Sequence, residues 1–95
     1  MTKGFFNEIP DDVKFFLASV ISTMAAKDDK EVDYLQVFTL KKHDFGGIMF
    51  QNVVHSQEVP PFEESIFFPC PDAVEQKVYV IDDGEYYTYL LAEEY

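Results

Sequence analysis

The sequence predicts an α+β fold in which one amphipathic helix packs on a mostly antiparallel sheet of about five short strands. Three observations predict it. Apolar residues recur at helical spacing between positions 13 and 24, β-branched and aromatic residues dominate from position 33 onward, and turn residues separate the strand-like runs. With 95 residues, the chain is long enough for one compact domain, residues 1–95, and too short for two.

The helix is predicted to begin at Pro10, because proline is tolerated at the first helical position. Asp11 and Asp12 follow and complement the positive end of the helix dipole. The apolar stripe that would face the core ends near residue 27 and consists of Val13, Phe16, Leu17, Val20, Ile21 and Met24. A short edge strand is expected over residues 3–6 and a charged connector over residues 27–31.

Strands are predicted over residues 33–41, 48–55, 64–68, 76–81 and 86–92. The loop 42–47 would join the first two as a hairpin. In the last hairpin a two-residue turn at Asp83-Gly84 would pair Val80 with Tyr87 and Val78 with Tyr89 on the core side.

The opposite side of this last hairpin is too apolar for an ordinary solvated surface. It would carry Ile81, Tyr79 and Lys77 beside Tyr86 and Leu90. Either another element of the chain or a partner protein covers it, and the sequence leaves both alternatives open.

Charge excludes several classes of function. Eighteen acidic residues oppose seven basic ones, all lysines, so the net charge is −11. Nucleic-acid binding needs cationic side chains that displace counterions from phosphates, so we expect no direct binding to DNA or RNA. Anionic lipid would also repel the chain, and its longest apolar stretch is too short to span a bilayer. We therefore expect no membrane association.

Cysteine usage and candidate chemistry favour a protein that is not an enzyme, without excluding one. Cys70 cannot form an internal disulfide, and without a secretory signal pattern the cytoplasm is the expected compartment. Catalysis would need Cys70 beside His43 or His55, but Cys70 lies between two prolines and is interpreted as a packed apolar residue. A small Cys/His enzyme stays open as the second of two alternative functions. His55 and Glu58 match no metal-ligand spacing, so the sequence predicts no catalytic residue, no metal and no cofactor.

The residues are most consistent with a non-catalytic, acidic interaction or regulatory module that binds a protein partner or a second copy of itself. The contact would be the last hairpin. Tyrosines supply the large, stiff contact area that interfaces favour, and acids supply a polar rim. The predicted tyrosines are Tyr79, Tyr86, Tyr87 and Tyr89, and the predicted acids are Asp82, Asp83, Glu85, Glu93 and Glu94.

The alternative function is mimicry of nucleic acid. Residues 56–95 hold ten acids and one lysine, a net charge of −9. Acids at both ends of the last hairpin would imitate phosphates and occupy the basic groove of a DNA-handling protein.

Several segments resemble a known family. Residues 33–38 (DYLQVF), 54–58 (VHSQE), 68–70 (FPC), 80–86 (VIDDGEY) and 90–95 (LLAEEY) are similar to the family catalogued as domain of unknown function 960. The resemblance covers most of the chain from Asn7 onward. It implies a whole-chain domain from low-GC Gram-positive bacteria or their mobile elements, and it transfers no activity and no site residue.

Overall fold

The computed structural model of this protein describes residues 1–25 and 33–95. Two helices precede a five-stranded sheet, and a short 3₁₀ helix follows it, which confirms the predicted α+β class. The bounds are Lys3–Glu8 for α1, Asp11–Ala25 for α2, Leu35–Phe45 for β1, Ile48–Gln57 for β2, Phe62–Pro69 for β3, Gln76–Asp82 for β4, Tyr87–Leu91 for β5 and Ala92–Glu94 for the C-terminal 3₁₀ helix. The predicted connector, residues 27–31, lies outside the described residues.

The strands lie in the order β3-β2-β1-β4-β5, and every neighbouring pair is antiparallel. β1 is therefore central. Because β1 and β2 extend beyond the positions where β4 pairs, their hairpin projects from one end of the sheet. The longest dimension of the molecule is 41 Å.

The helix α2 covers one face of the sheet, here called the covered face. The apolar stripe predicted for it is confirmed up to Ile21, since Val13, Leu17 and Ile21 are buried and Phe16 and Val20 pack half-buried against the core. Met24 is half-buried. The sheet contributes Phe38, Leu40, Val53, Val78, Val80 and Leu91 to the same core. These residues alternate along their strands, as a sheet buried on one side requires.

Residues 3–6 form no edge strand, so that prediction is wrong. They belong to α1, whose first turn is capped by Thr2, with the Thr2 side chain accepting from the Phe5 N–H. Phe5 is the buried residue of this helix and packs against Tyr89. A six-residue helix is too short for sequence periodicity to mark it, and its cap and core contact stabilise it instead.

The first hairpin is tighter than predicted. β1 continues to Phe45, and the loop is only Gly46-Gly47, with φ angles of +61° and +90°. Positive φ at both positions is the pattern of a two-residue type I′ turn. Asp44 stabilises the turn because its Oδ1 accepts from the Gly47 N–H at 2.7 Å.

The predicted register of the last hairpin is wrong by two residues. Val80 pairs with Tyr89 and Val78 with Leu91, so the loop is residues 83–86. The predicted core side is nonetheless correct, because a shift of two residues preserves the face of every side chain. No helix in residues 1–25 or 33–95 is long and apolar enough to cross a membrane.

Candidate protein-interaction surface

The face of the sheet opposite α2 is called the open face, because no residue on it belongs to the core cluster. The strand registers define its members. They are Leu35, Val37, Thr39, Lys41, His43, Phe45, Ile48, Phe50, Asn52, Val54, Ser56, Glu63, Ser65, Phe67, Pro69, Lys77, Tyr79, Ile81, Thr88 and Leu90.

Four rings form an aromatic cluster at the projecting end of the open face: His43, Phe45, Phe50 and Phe67. The Phe45 ring lies 5.2 Å from that of Phe50 and 5.8 Å from that of Phe67, both edge to face. His43 stacks on Phe45 at 5.5 Å. Phe45 is 50% exposed and Phe67 is 45% exposed. Mutual ring contacts therefore order the cluster while leaving much of its apolar surface in water.

A second aromatic contact lies on the other half of the open face. The Tyr95 ring meets Tyr79 edge to face at 5.4 Å. By register, Lys77 and Lys41 lie between this pair and the aromatic cluster. With Glu63 as its acidic member, the open face has a net charge of +1, whereas the whole chain carries −11. The open face is thus apolar and weakly basic on an acidic protein.

The four tyrosines predicted for the interface do not share one surface. Tyr79 is half-buried on the open face, and Tyr86 is exposed in the turn. Tyr87 and Tyr89 lie on the covered face, where the Tyr89 ring packs 5.4 Å from that of Phe5. Burial, and then the neighbouring Tyr87, raise the pKa of Tyr89.

Two of the predicted acids build the last turn. The Oδ1 of Asp82 accepts from the Gly84 N–H at 2.8 Å. The Oδ1 of Asp83 accepts from the N–H groups of Tyr86 at 2.8 Å and Glu85 at 3.0 Å. These backbone hydrogen bonds lower the pKa of Asp83, and the bond from Tyr86 has the largest effect. Glu85 itself is exposed.

The remaining two acids lie in the C-terminal 3₁₀ helix. Glu93 is exposed. Glu94 instead holds the termini together, because its carboxylate accepts from the Thr2 hydroxyl, the Gly4 N–H and the Leu91 N–H. These hydrogen bonds lower the pKa of Glu94, and the bond from Thr2 has the largest effect. The structure therefore divides the nine predicted residues among the turn, the open face, the covered face and the C-terminal 3₁₀ helix.

Cys70 is buried, and carboxylates surround its sulfur. The Sγ donates to Asp72 Oδ1 at 3.3 Å and to Asp12 Oδ2 at 3.5 Å. Burial first, and then these two acids, raise the pKa of the thiol to about 12. The three ligand atoms lie within 4.8 Å of one another, so this trio could hold a cation only after the thiol lost its proton. A neutral, buried thiol is a poor nucleophile.

His55 is buried in a chain of side-chain amides. Gln36 donates through Nε2 to Gln57 Oε1 at 2.8 Å and to the Asp33 carbonyl at 2.9 Å. Its Oε1 therefore faces His55 Nε2, 2.7 Å away, which makes that ring nitrogen the donor. The His55 ring also stacks on Phe38 at 4.5 Å. This imidazole is a structural member of the core edge.

Sequence reasoning missed the aromatic cluster. The signal was Gly46-Gly47: a two-residue turn there pairs Phe45 with Ile48 and His43 with Phe50. With a predicted loop over residues 42–47, His43 and Phe45 would have no partner on the next strand. Phe67 joins through the pairing of β2 with β3, which no local pattern specifies.

Comparison with known protein families identifies a match. A family model described as "Staphylococcal protein of unknown function (DUF960)" matches residues 1–94. No curated protein and no solved structure matches the chain.

Proposed function

The chain belongs to the DUF960 family of staphylococcal proteins of unknown function, and we propose that it is a non-catalytic interaction module that binds a partner protein through its open face. One observation carries the proposal. Phe45 and Phe67 are about half exposed in an ordered cluster, on the sheet face opposite α2. Contiguous apolar surface of this kind is typical of protein contacts.

The size of the open face suits such a contact. Five strands spaced about 4.8 Å apart and about 24 Å long give a surface on the order of 600 Å². A specific interface buries roughly 800 Å² on each partner. The open face with its surrounding loops is therefore large enough for a modest, reversible complex.

The chemistry of the open face indicates the chemistry of the partner. Lys41 and Lys77 stand between the two aromatic groups, so the complementary surface would be apolar with one or two carboxylates opposite these lysines. Because the whole chain carries −11, a broadly acidic partner would be repelled. We therefore favour a partner with a small, mixed apolar and acidic patch.

The last turn would form a polar rim at the far end of this surface. This end of the sheet lies beyond the first pairs of β1 with β4 and carries Asp82, Asp83, Glu85 and the exposed Tyr86.

We also propose that the protein acts in the cytoplasm, where a single unpaired thiol such as that of Cys70 stays reduced.

The experiment compares capture of a partner by matched phenylalanine variants. The full chain, its Phe45→Ser/Phe67→Ser variant and its Phe15→Ser variant are immobilised, and proteins they retain are identified by mass spectrometry. Affinities for the purified partner are then measured by calorimetry. We expect at least about a tenfold weaker affinity for the open-face variant, since buried aromatic anchors dominate binding. Phe15 on α2 is 76% exposed, more than either Phe45 or Phe67, and serves as the control for removing an exposed phenylalanine elsewhere on the surface.

Two further arms separate the alternatives. A Tyr86→Ser/Tyr87→Ser variant tests whether the last turn contributes. Nuclease treatment and two salt concentrations test nucleic-acid mimicry, which predicts steep loss with salt and competition by duplex DNA. Unchanged affinity in Phe45→Ser/Phe67→Ser, with the fold intact by circular dichroism, would refute binding through the open face.

A further inference from the structure

A cavity lies at the covered face of the sheet, between the second half of α2 and the strands β2 and β3. This edge pocket has a volume of about 320 Å³. Two hydroxyl side chains and two apolar ones of α2 line it, and the strands contribute His55, Phe62 and Glu64. The edge pocket and the open face lie on opposite sides of the sheet, so the edge pocket is a separate site.

His55 forms the buried wall of the edge pocket. It is 3% exposed, and its ring stacks on Phe38 at 4.5 Å and meets Phe62 edge to face at 5.3 Å. Its Nε2 donates to Gln36 Oε1 at 2.7 Å. These contacts hold the ring in place before any ligand arrives, and a preformed wall reduces the entropy lost on binding.

The polar groups at the rim of the edge pocket are hydrogen-bond acceptors. Ser19 and Thr23 each donate their single hydroxyl proton to a backbone carbonyl of α2, that of Phe16 at 2.8 Å and that of Ser19 at 2.9 Å. Their oxygen lone pairs remain available. Glu64 adds a carboxylate and lies directly opposite His55 in the pairing of β2 with β3. Among the described residues that line the pocket, Glu64 is the only carboxylate and none is a lysine.

Apolar side chains form the rest of the lining. Val20 and Met24 come from α2, where a spacing of four residues places them on the same side of the helix. Phe62 comes from β3, and all three residues are half-buried. Apolar walls below an acceptor-lined rim suit a short hydrocarbon chain that ends in a hydrogen-bond donor.

We propose that the edge pocket binds a short primary alkylammonium group. The hydrocarbon chain packs against Val20, Met24 and Phe62. The ammonium donates to the Glu64 carboxylate and to the hydroxyl oxygens of α2, since it has three N–H donors and no lone pair. A free aliphatic amine and the lysine side chain of another protein both carry this group.

Charge and hydrogen bonding disfavour the other classes of ligand. An anion would be repelled by Glu64 and by the net charge of −11, which attracts cations instead. A carbonyl group needs donors, and the protons of Ser19 and Thr23 are already donated. A hard divalent cation takes about six oxygen ligands, more than these three side chains supply.

The size of the edge pocket limits the ligand to a small one. Its volume lies at the lower end of the range of about 300–1,000 Å³ that is typical of small-molecule sites. A ligand of about five non-hydrogen atoms supports only weak binding, with a dissociation constant on the order of 1 mM.

The test is an NMR titration of the full chain with n-butylammonium chloride up to about 50 mM, with sodium chloride adjusted to keep the ionic strength constant. We expect saturable shifts in the amide signals of Thr23, Met24, His55 and Glu64. The neutral analogue n-butanol has the same chain without the charge. Its dissociation constant should be at least about fivefold larger, because charge-assisted hydrogen bonds are the stronger ones.

Two adjacent glutamates provide a matched pair of variants. Glu63 and Glu64 are both exposed on β3, but Glu63 lies on the open face. Glu64→Gln should raise the dissociation constant for n-butylammonium at least about threefold. Glu63→Gln changes the net charge equally and should alter it less than about 1.5-fold. Because both positions are exposed, the variants should keep the wild-type circular dichroism and melting temperature.

A second titration identifies the source of the ammonium group. Nα-acetyl-lysine N-methylamide presents a lysine side chain together with its backbone. Tighter binding of this probe than of n-butylammonium assigns the edge pocket to a lysine of another protein, and weaker binding assigns it to a free amine.

Three results would each overturn the ammonium site: equal affinity for n-butanol, unchanged affinity in Glu64→Gln, or no shifts at the edge pocket up to about 50 mM. The Phe45→Ser/Phe67→Ser variant should bind n-butylammonium as the wild type does, because both rings lie on the open face. Failure of the ammonium site therefore leaves partner binding through the open face untouched, and the reverse also holds.

Discussion

Glu94 Oε1 accepts a hydrogen bond from the Thr2 hydroxyl at 2.5 Å, which links residues 92 positions apart. The other carboxylate oxygen accepts from the Gly4 N–H at 3.2 Å, and Thr2 N donates to the Tyr89 carbonyl at 2.9 Å. The first turn of α1 thus rests on β5 and the C-terminal 3₁₀ helix. The stability of α1 depends on an acid at the far end of the chain.

The first prediction concerns the protonation of Glu94. Its folded pKa is lowered, chiefly by the Thr2 hydrogen bond, so the stabilisation is present above the unfolded pKa and is lost as pH falls through the folded pKa. Glu94→Gln should unfold at lower urea concentration than wild type at neutral pH. The difference should shrink as pH falls below 4.5, the ordinary pKa of a glutamate side chain. Urea midpoints at several pH values measure it, and a constant difference would contradict the assignment.

The second prediction concerns the space beside Gly4. A Cβ at this position would lie 2.6 Å from Glu94 Cδ, so Gly4→Ala must displace the carboxylate. We expect Gly4→Ala to destabilise the wild-type chain. In a Glu94→Ala background the obstacle is absent, and the same change should be neutral or stabilising by up to about 1 kcal/mol, because alanine favours helix over glycine. A double-mutant cycle by urea unfolding measures the coupling, and additive effects would contradict it.

The third prediction concerns Gln51, which is fully buried on β2. Its Oε1 accepts from the Val74 N–H at 2.9 Å, and its Nε2 donates to the carbonyls of Val74 at 3.0 Å and Lys41 at 3.1 Å. Gln51→Leu keeps the volume but leaves these backbone groups without their partner. We expect a loss of about 2–4 kcal/mol in the free energy of unfolding. Chemical denaturation measures it, and a loss below about 1 kcal/mol would mean that water replaces the amide.

The fourth prediction concerns the reactivity of Cys70. Its pKa is raised from 9.0 to about 12, chiefly by burial, so near neutral pH its thiolate fraction is about a thousandfold below that of an ordinary thiol. We expect very slow alkylation by iodoacetamide at pH 7.5 and rapid alkylation in urea, where burial is lost. Mass spectrometry follows the labelling. Fast labelling of the folded chain would indicate an activated thiol and reopen the Cys/His enzyme.

Local patterns were sufficient for α2 and for the number of strands. Val13, Leu17 and Ile21 recur at intervals of four, and Pro10 with two acids marks the beginning of the helix, so periodicity and end signals agree. The side-chain faces of β4 and β5 were also predictable. Alternation fixes which residues share a face, even when the pairing partner is misplaced.

The remaining features depend on contacts between distant residues. Nothing local distinguishes α1 from a strand, because Thr2, Tyr89 and Glu94 stabilise it from elsewhere in the sequence. The dipeptide Asp83-Gly84 by itself predicts a two-residue turn. The observed turn has four residues, because the Asp83 side chain accepts hydrogen bonds from the N–H groups of Glu85 and Tyr86. The predicted interface residues all lie on the last hairpin or directly after it, whereas the exposed aromatic cluster draws on three strands.

The bond between Thr2 and Glu94 also bears on the order in which the protein matures on the ribosome. The first helix is synthesised about 90 residues before the carboxylate of Glu94, and also before β5, against which Phe5 packs. The Phe5 ring therefore makes its contact with Tyr89 only after β5 has been synthesised.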